Sequence, residues 1–176
     1  MEYNDPENTL IIEVGLGYDS EDAASPSNSG DVAIELMPDI APNHVAQVKA
    51  LAREGYYDNV PFHRVIEGFM AQTGDGQRGD GTGGSDKPNV KAEFSRLPFD
   101  RGVVGMARAQ NPDSANSQFF ITFAESHFLN GQYTVFGRVI SGMETVDAIK
   151  RGVGQGGSVP APRDRMIKVR VAADDA

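Results

Sequence analysis

The chain has no cysteine and no tryptophan, and only three of its 176 residues are histidine. Without thiols there is no disulfide, no thiolate metal site and no cysteine nucleophile. His44, His63 and His127 lie far apart, and none has a neighbouring ligand at the short spacing a metal site uses. The G-x-S-x-G pattern of a nucleophilic serine is also missing. No apolar run approaches the ~18 residues of a membrane-crossing helix. The start, MEYNDPENTL, has neither a basic nor an apolar leader segment, so the cytoplasm is the expected location. Positive charge is scarce: 16 Lys and Arg face 25 Asp and Glu, a net charge of -9. Such a surface repels a phosphate backbone, and nucleic acid is not an expected partner.

What is present is the composition of a folded protein, with 39% hydrophobic and 23% charged residues. The length suits one domain, residues 1–176. Two β-like runs stand near the start, TLIIEV and DVAIELM, the second alternating Val32, Ile34 and Leu36 on one face. Between them GLGYDSEDAASPSNSGD, residues 15–31, reads as a long acidic hairpin loop, a solvated connection with no assigned function. APNHVAQVKALAREGYY then predicts a helix, with Pro42 in the first turn, Val45, Val48 and Leu51 on one face, and Gly55 as the stop. A second helix is predicted where Met143, Val146 and Ile149 repeat, ending at Gly152. The remaining runs, FHRVI, FMAQT, GVVGMAR, QFFITF, TVFGRVI and MIKVRVAA, are short and rich in β-branched and aromatic residues. They predict an all-β protein, a mostly antiparallel barrel or sandwich with two helices.

The glycine-rich stretch GDGQRGDGTGGSDKPN, from Gly74, has three readings: a phosphate cradle, a calcium loop or a series of turns. No Gly-Lys-Ser/Thr or helix pattern follows it, and Asp75, Asp80 and Asp86 do not sit at calcium-loop offsets. Turns are the better reading. Taken alone, Phe62, Phe69, Met70, Phe119 and Phe120 suit a core better than a cleft.

The segments FHRVIEGFMAQTG, MARAQNPDSANSQFFITF and HFLNGQYTVFGRV resemble the cyclophilin-type peptidyl-prolyl cis-trans isomerases, especially the bacterial branch. YDNVPFHRVIEGFMAQTG, residues 57–74, carries the family's signature, and the likeness extends from about residue 8 to about residue 173. The resemblance implies a closed eight-stranded antiparallel barrel capped by two helices. It implies rotation about X-Pro bonds of folding or flexible polypeptides, with no covalent intermediate, metal or cofactor. Position by position, it makes Arg64 the catalytic cation and Gln72 its companion amide. Phe69, Met70, Phe120 and Leu129 would hold the proline ring, and the backbone of Ala107, Arg108 and Ala109 would receive the substrate chain. Gln118 would line its path, with Gly81 at the rim. A non-catalytic proline-peptide binding module or chaperone on the same fold is the rival reading.

Some positions depart from the pattern of the eukaryotic members. Phe128 stands where many carry a tryptophan whose N–H contacts cyclosporin, so weak binding of that inhibitor is expected. Tyr133 replaces a usual His, Arg108 a common Asn, and Glu67 a common Pro in the turn. These bear on substrate preference and local rigidity. A monomer is expected.

Overall fold

In the computed structural model, which describes residues 4–175, the two leading β-like runs pair with each other. Strand β1 (Thr9–Leu16) and strand β2 (Asn28–Leu36) form an antiparallel hairpin. Alternation places Leu10, Ile12 and Val14 of β1 and Val32, Ile34 and Leu36 of β2 in the main core. The ladder continues to Leu16 opposite Asn28, so the connection is residues 17–27 rather than the predicted 15–31. Ladder bonds are made by backbone, so Gly15, Ser29 and Gly30 pair as strand despite a loop-like composition. Nor is the connection merely solvated. Tyr18 folds back against Gly15, where any Cβ would lie 2.1 Å from its hydroxyl oxygen. The Arg165 guanidinium covers the Tyr18 ring at 4.0 Å from its centroid.

Helix α1 (Pro42–Arg53) starts at the predicted proline and stops before Gly55, which has φ 76°. Val45, Val48 and Leu51 enter the core. Ala41 offers no capping side chain. Glu93 does so instead, accepting the N–H groups of Asn43 at 3.3 Å and His44 at 2.8 Å. Its negative charge suits the positive end of the helix. The same carboxylate lies 2.6 Å from Nδ1 of buried His44.

Helix α2 (Met143–Asp147) is shorter than the predicted run to Gly152. Its continuation is intercepted by side chains. Arg151 takes the carbonyls of Asp147 and Ile149, and the Lys150 N–H donates to Asp164 at 2.8 Å. The core still receives Val146 and Ile149.

The other strands are β3 (Val60–Pro61), β4 (Arg64–Ile66), β5 (Met70–Thr73), β6 (Val103–Met106), β7 (Phe119–Thr122), β8 (Val135–Ser141) and β9 (Arg165–Val171). The class is all-β as expected, but among the described residues the sheet has nine strands, not eight, in the order β3-β9-β1-β2-β8-β6-β7-β5-β4. Closure also differs from the expected barrel. The terminal strands β3 and β4 are joined directly through Phe62 and His63 and share no ladder. They are too short and too close in sequence to fold back on each other. Instead residues 152–159 lie along β4: the Val65 N–H donates to Gly157 O and the Gly152 N–H to Val65 O, both at 2.8 Å.

Candidate active site

Strand register sets a row of positions across five strands. Arg64 stands opposite Gln72, Gln72 opposite Phe120, Phe120 opposite Gly105, and Gly105 opposite Val135. In β7, Phe119 and Ile121 enter the main core while Phe120 joins a second cluster with Met70, Phe99, Leu129 and Val135. Period-two alternation thus gives the sheet an apolar patch on its other face. Gly105 makes that patch possible, since a Cβ there would lie 2.6 Å from ring atoms of both Phe99 and Phe120. In its absence the two rings stack with centroids 5.7 Å apart.

Over this patch lies a cavity of about 90 Å³. Phe69, Met70, Phe120 and Leu129 line its apolar part, with Arg64 and Gln72 on one side and Ala107, Arg108 and Tyr133 on another. Leu129 comes from a 3-10 turn, His127–Leu129, whose middle residue Phe128 is 72% exposed and outside the cavity. Its ring packs against Phe69 at 5.3 Å between centroids, on the rim.

Two guanidinium groups face the cavity, and their bonding separates them. Arg108 spends four of its five N–H donors on carbonyls: Gln132 O at 3.1 and 2.7 Å, Ala109 O at 2.9 Å and Gln110 O at 3.3 Å. It also stacks over Tyr133, 4.6 Å from the ring centroid. Arg64 donates Nε to Gly156 O at 2.9 Å and Nη1 to Gln72 Oε1 at 3.3 Å. A guanidinium has five N–H donors, so Arg64 keeps donors in hand among the described residues.

A guanidinium only donates, and that fixes the direction of every amide behind it. Gln72 must offer its oxygen to Arg64, so its nitrogen needs an acceptor and finds Gln118 Oε1 at 3.1 Å. Gln118 then donates both hydrogens, to Gly81 O and Gly83 O, each at 2.9 Å. The glycine-rich loop holds those carbonyls in place through Asp75. Its carboxylate accepts the N–H groups of Gln77, Arg78, Asp80, Gly81 and Gly83. Burial opposes the charge on Asp75, but these donors outweigh it and hold the pKa at about 2. The Asp75 oxygens that a calcium loop would need are therefore spent on backbone.

A second cavity of about 470 Å³ adjoins the first and shares Gln72, Ala107 and Arg108 with it. Gly81, Ala109 and Gln118 line it, as do Thr82, Ser85 and Asn116, which the sequence reading did not single out. Asn116 holds its far wall, accepting the N–H of Ser85 at 2.9 Å and donating to Lys87 O at 2.9 Å. Of the thirteen site residues expected from sequence, the two cavities bring together all but Phe128. Gly156 and Asp75 were missed because their roles depend on backbone geometry. His63 lines neither cavity; it is buried, and burial lowers its pKa. Elsewhere Asp100, Glu125 and His127 converge, contrary to the reading from spacing, but all three are exposed and His127 is already bonded to Asp100 at 2.7 Å.

The profile of the cyclophilin type peptidyl-prolyl cis-trans isomerase family matches residues 24–171. The chain belongs to that family. It is a cyclophilin-type peptidyl-prolyl cis-trans isomerase. A probable peptidyl-prolyl cis-trans isomerase of Brucella suis is 54% identical over 97% of this chain and 85% of its own. The isomerase CYP18-1 of Arabidopsis thaliana is 38% identical over 84% of this chain and 94% of its own. Among solved structures, a cyclophilin from Hirschia baltica superposes with a TM-score of 0.81 at 29% identity, over 98% of this chain and 76% of its own. A cyclophilin-type isomerase from Cryptosporidium parvum, crystallised in the presence of the dipeptide Ala-Pro, gives 0.76 at 29% identity, over 93% and 98%.

Proposed function

We propose that this cyclophilin isomerises X-Pro bonds in folding or flexible polypeptides by using Arg64 to stabilise the twisted amide. The observation that carries this reading is the contrast between the two cations: Arg108 spends four of its five donors on carbonyls, while Arg64 is held from two sides and keeps three in hand among the described residues. The cavity of about 90 Å³ suits one compact apolar ring, so Phe69, Met70, Phe120 and Leu129 take the proline. The backbone of Ala107, Arg108 and Ala109 receives the adjoining chain, which runs on past Gln118 and Gly81. Tyr133 and Phe128 bound the ring's entry.

Rotation about a peptide bond meets a barrier of ~18–20 kcal/mol because twisting removes amide resonance. In the twisted state the proline nitrogen regains a lone pair, and a fixed donor stabilises that state more than the planar one. Arg64 supplies the donor, and its planar fork also holds the prolyl carbonyl. Gln72 keeps the guanidinium turned towards the cavity. A ~10⁴-fold acceleration requires about 5.5 kcal/mol. One charge-assisted hydrogen bond contributes ~1.5–3 kcal/mol, and orientation of the bound peptide adds the rest. No step breaks a covalent bond, and the chemistry calls for no cofactor. The protein acts as a cytoplasmic monomer.

The test is the cis-to-trans relaxation of a short X-Pro peptide with wild type and Arg64→Ala at matched, verified folding. The expected result is acceleration by wild type that falls at least about tenfold in the variant. An unchanged rate in Arg64→Ala would remove Arg64 from the mechanism.

A further inference from the structure

We propose that the acidic hairpin loop, residues 17–27, braces the peptide-facing loop 75–84, with Glu21 and Arg163 as positioning residues. The inference rests on the reading of the site given above and assigns a role to a segment that reading leaves idle.

The loop is fastened at its base. The Gly17 N–H donates to Asp164 Oδ1 at 2.9 Å, Tyr18 is buried beneath Arg165, and Arg165 donates to the carbonyls of Glu21 and Ala23. These contacts present the Glu21 carboxylate to Arg163. It accepts the Arg163 backbone N–H at 2.9 Å and Nε at 2.8 Å. With two of its groups fixed, Arg163 reaches outward and donates Nη1 to Gly79 O. It does so along the wall of a cavity of about 220 Å³ that separates the hairpin loop from the glycine-rich loop.

The bond to Gly79 matters because of where the other bonds go. The N–H groups of residues 77–80 all close on Asp75. Among the described residues, the Arg163 bond is the hydrogen bond that ties residues 77–80 to anything outside the 75–84 loop. From that loop Gly81 O and Gly83 O hold Gln118, Gln118 holds Gln72, and Gln72 holds Arg64. Glu21 therefore stands at the far end of a continuous polar path to the site. Its nearest effect falls on the rim of the larger cavity. Burial disfavours its charge, but the Arg163 bonds outweigh that and keep its pKa below the usual carboxylate value, so Glu21 is ionised at neutral pH.

The hairpin loop carries nothing that touches the smaller cavity, and this makes the role separable from catalysis. The experiment uses two probes: a capped dipeptide that occupies the proline cavity alone, and a hexapeptide whose flanking residues enter the larger one. Isomerisation of both is measured with wild type, Glu21→Ala, Glu21→Gln, Arg163→Met and, as control, Arg64→Ala. The expected result is a roughly fivefold rise in KM for the hexapeptide in Glu21→Ala and Arg163→Met, with kcat within about twofold. Glu21→Gln, which keeps an acceptor oxygen, lies between them and wild type. The dipeptide is turned over alike by all three. Unchanged KM in both Glu21→Ala and Arg163→Met overturns the brace, and so does an equal loss on both peptides together with a lowered Tm. If Arg64→Ala matches wild type, the reading of the site fails first, and the brace fails with it.

Discussion

Gln72 donates its amide nitrogen to the amide oxygen of Gln118 across 3.1 Å, and that single contact commits both side chains to one orientation. Reversing either amide would set oxygen against oxygen, or turn an N–H group towards the Arg64 guanidinium.

Charge at position 118 should therefore matter more than loss of the side chain. Gln118→Glu places an acceptor against Gly81 O and Gly83 O, which themselves only accept. We expect its kcat/KM to fall further than that of Gln118→Ala, by roughly tenfold relative to it. Equal values for the two variants would contradict the directed amide path.

Gly105 should tolerate no side chain. A Cβ 2.6 Å from both Phe99 and Phe120 requires the stacked pair to separate. Gly105→Ala is expected to cost about 1–3 kcal/mol by chemical denaturation, and to raise KM because Phe120 floors the smaller cavity. A variant as stable and active as wild type would show that the patch yields more easily than its packing indicates.

Stability should fall with acid in two windows. Burial holds the folded-state pKa of His44 and His63 below the unfolded value of about 6.5. The unfolded chain then binds more protons, and stability drops as pH falls below that value. Asp75 acts lower down. Its stabilisation is present above the unfolded value of 3.8 and is lost as pH falls towards 2. At about 1.4 kcal/mol for each pKa unit, full protonation of Asp75 removes about 2–3 kcal/mol. Urea midpoints measured from pH 7 to pH 2 check both windows, and Asp75→Asn should shrink the lower one, leaving the part due to Glu21 and Asp147. In a His127→Gln background, which removes the opposite contribution of the histidine bonded to Asp100, a midpoint that stays flat from pH 7 to pH 5 would contradict the histidine part.

Cyclosporin should bind weakly and gain affinity in Phe128→Trp. Phe128 stands at the rim with its ring exposed, and an indole there adds an N–H donor that phenyl lacks. Calorimetric titration of the two proteins decides it, and equal affinities would contradict the prediction.

The apolar parts of the fold were legible because side-chain spacing reports them directly. Alternation in DVAIELM and the Val45, Val48, Leu51 repeat each name a buried face, and those faces are buried. What escaped was the work of backbone and of distant polar side chains. Gly15 to Leu16 pair as strand through carbonyls and N–H groups that leave no mark on composition. The second helix stops early because Arg151 and Asp164 capture its groups from outside. The glycine-rich stretch reads as turns and forms them, yet its order depends on Asp75 and Asn116, which bind across several residues of loop. In the site, the signature residues announced themselves by resemblance, whereas Gly156 contributes only a carbonyl, and any residue type has one.

The Glu93 cap has a consequence for the order of events during synthesis. Helix α1 spans 12 residues, a length at which an isolated helix is marginal in water. Its terminating carboxylate arrives 50 residues after Asn43, beyond the strand that carries Arg64. A growing chain thus exposes an unfinished helix while the segment with Arg64 is already emerging. The helix can receive its cap only after residue 93 has left the ribosome.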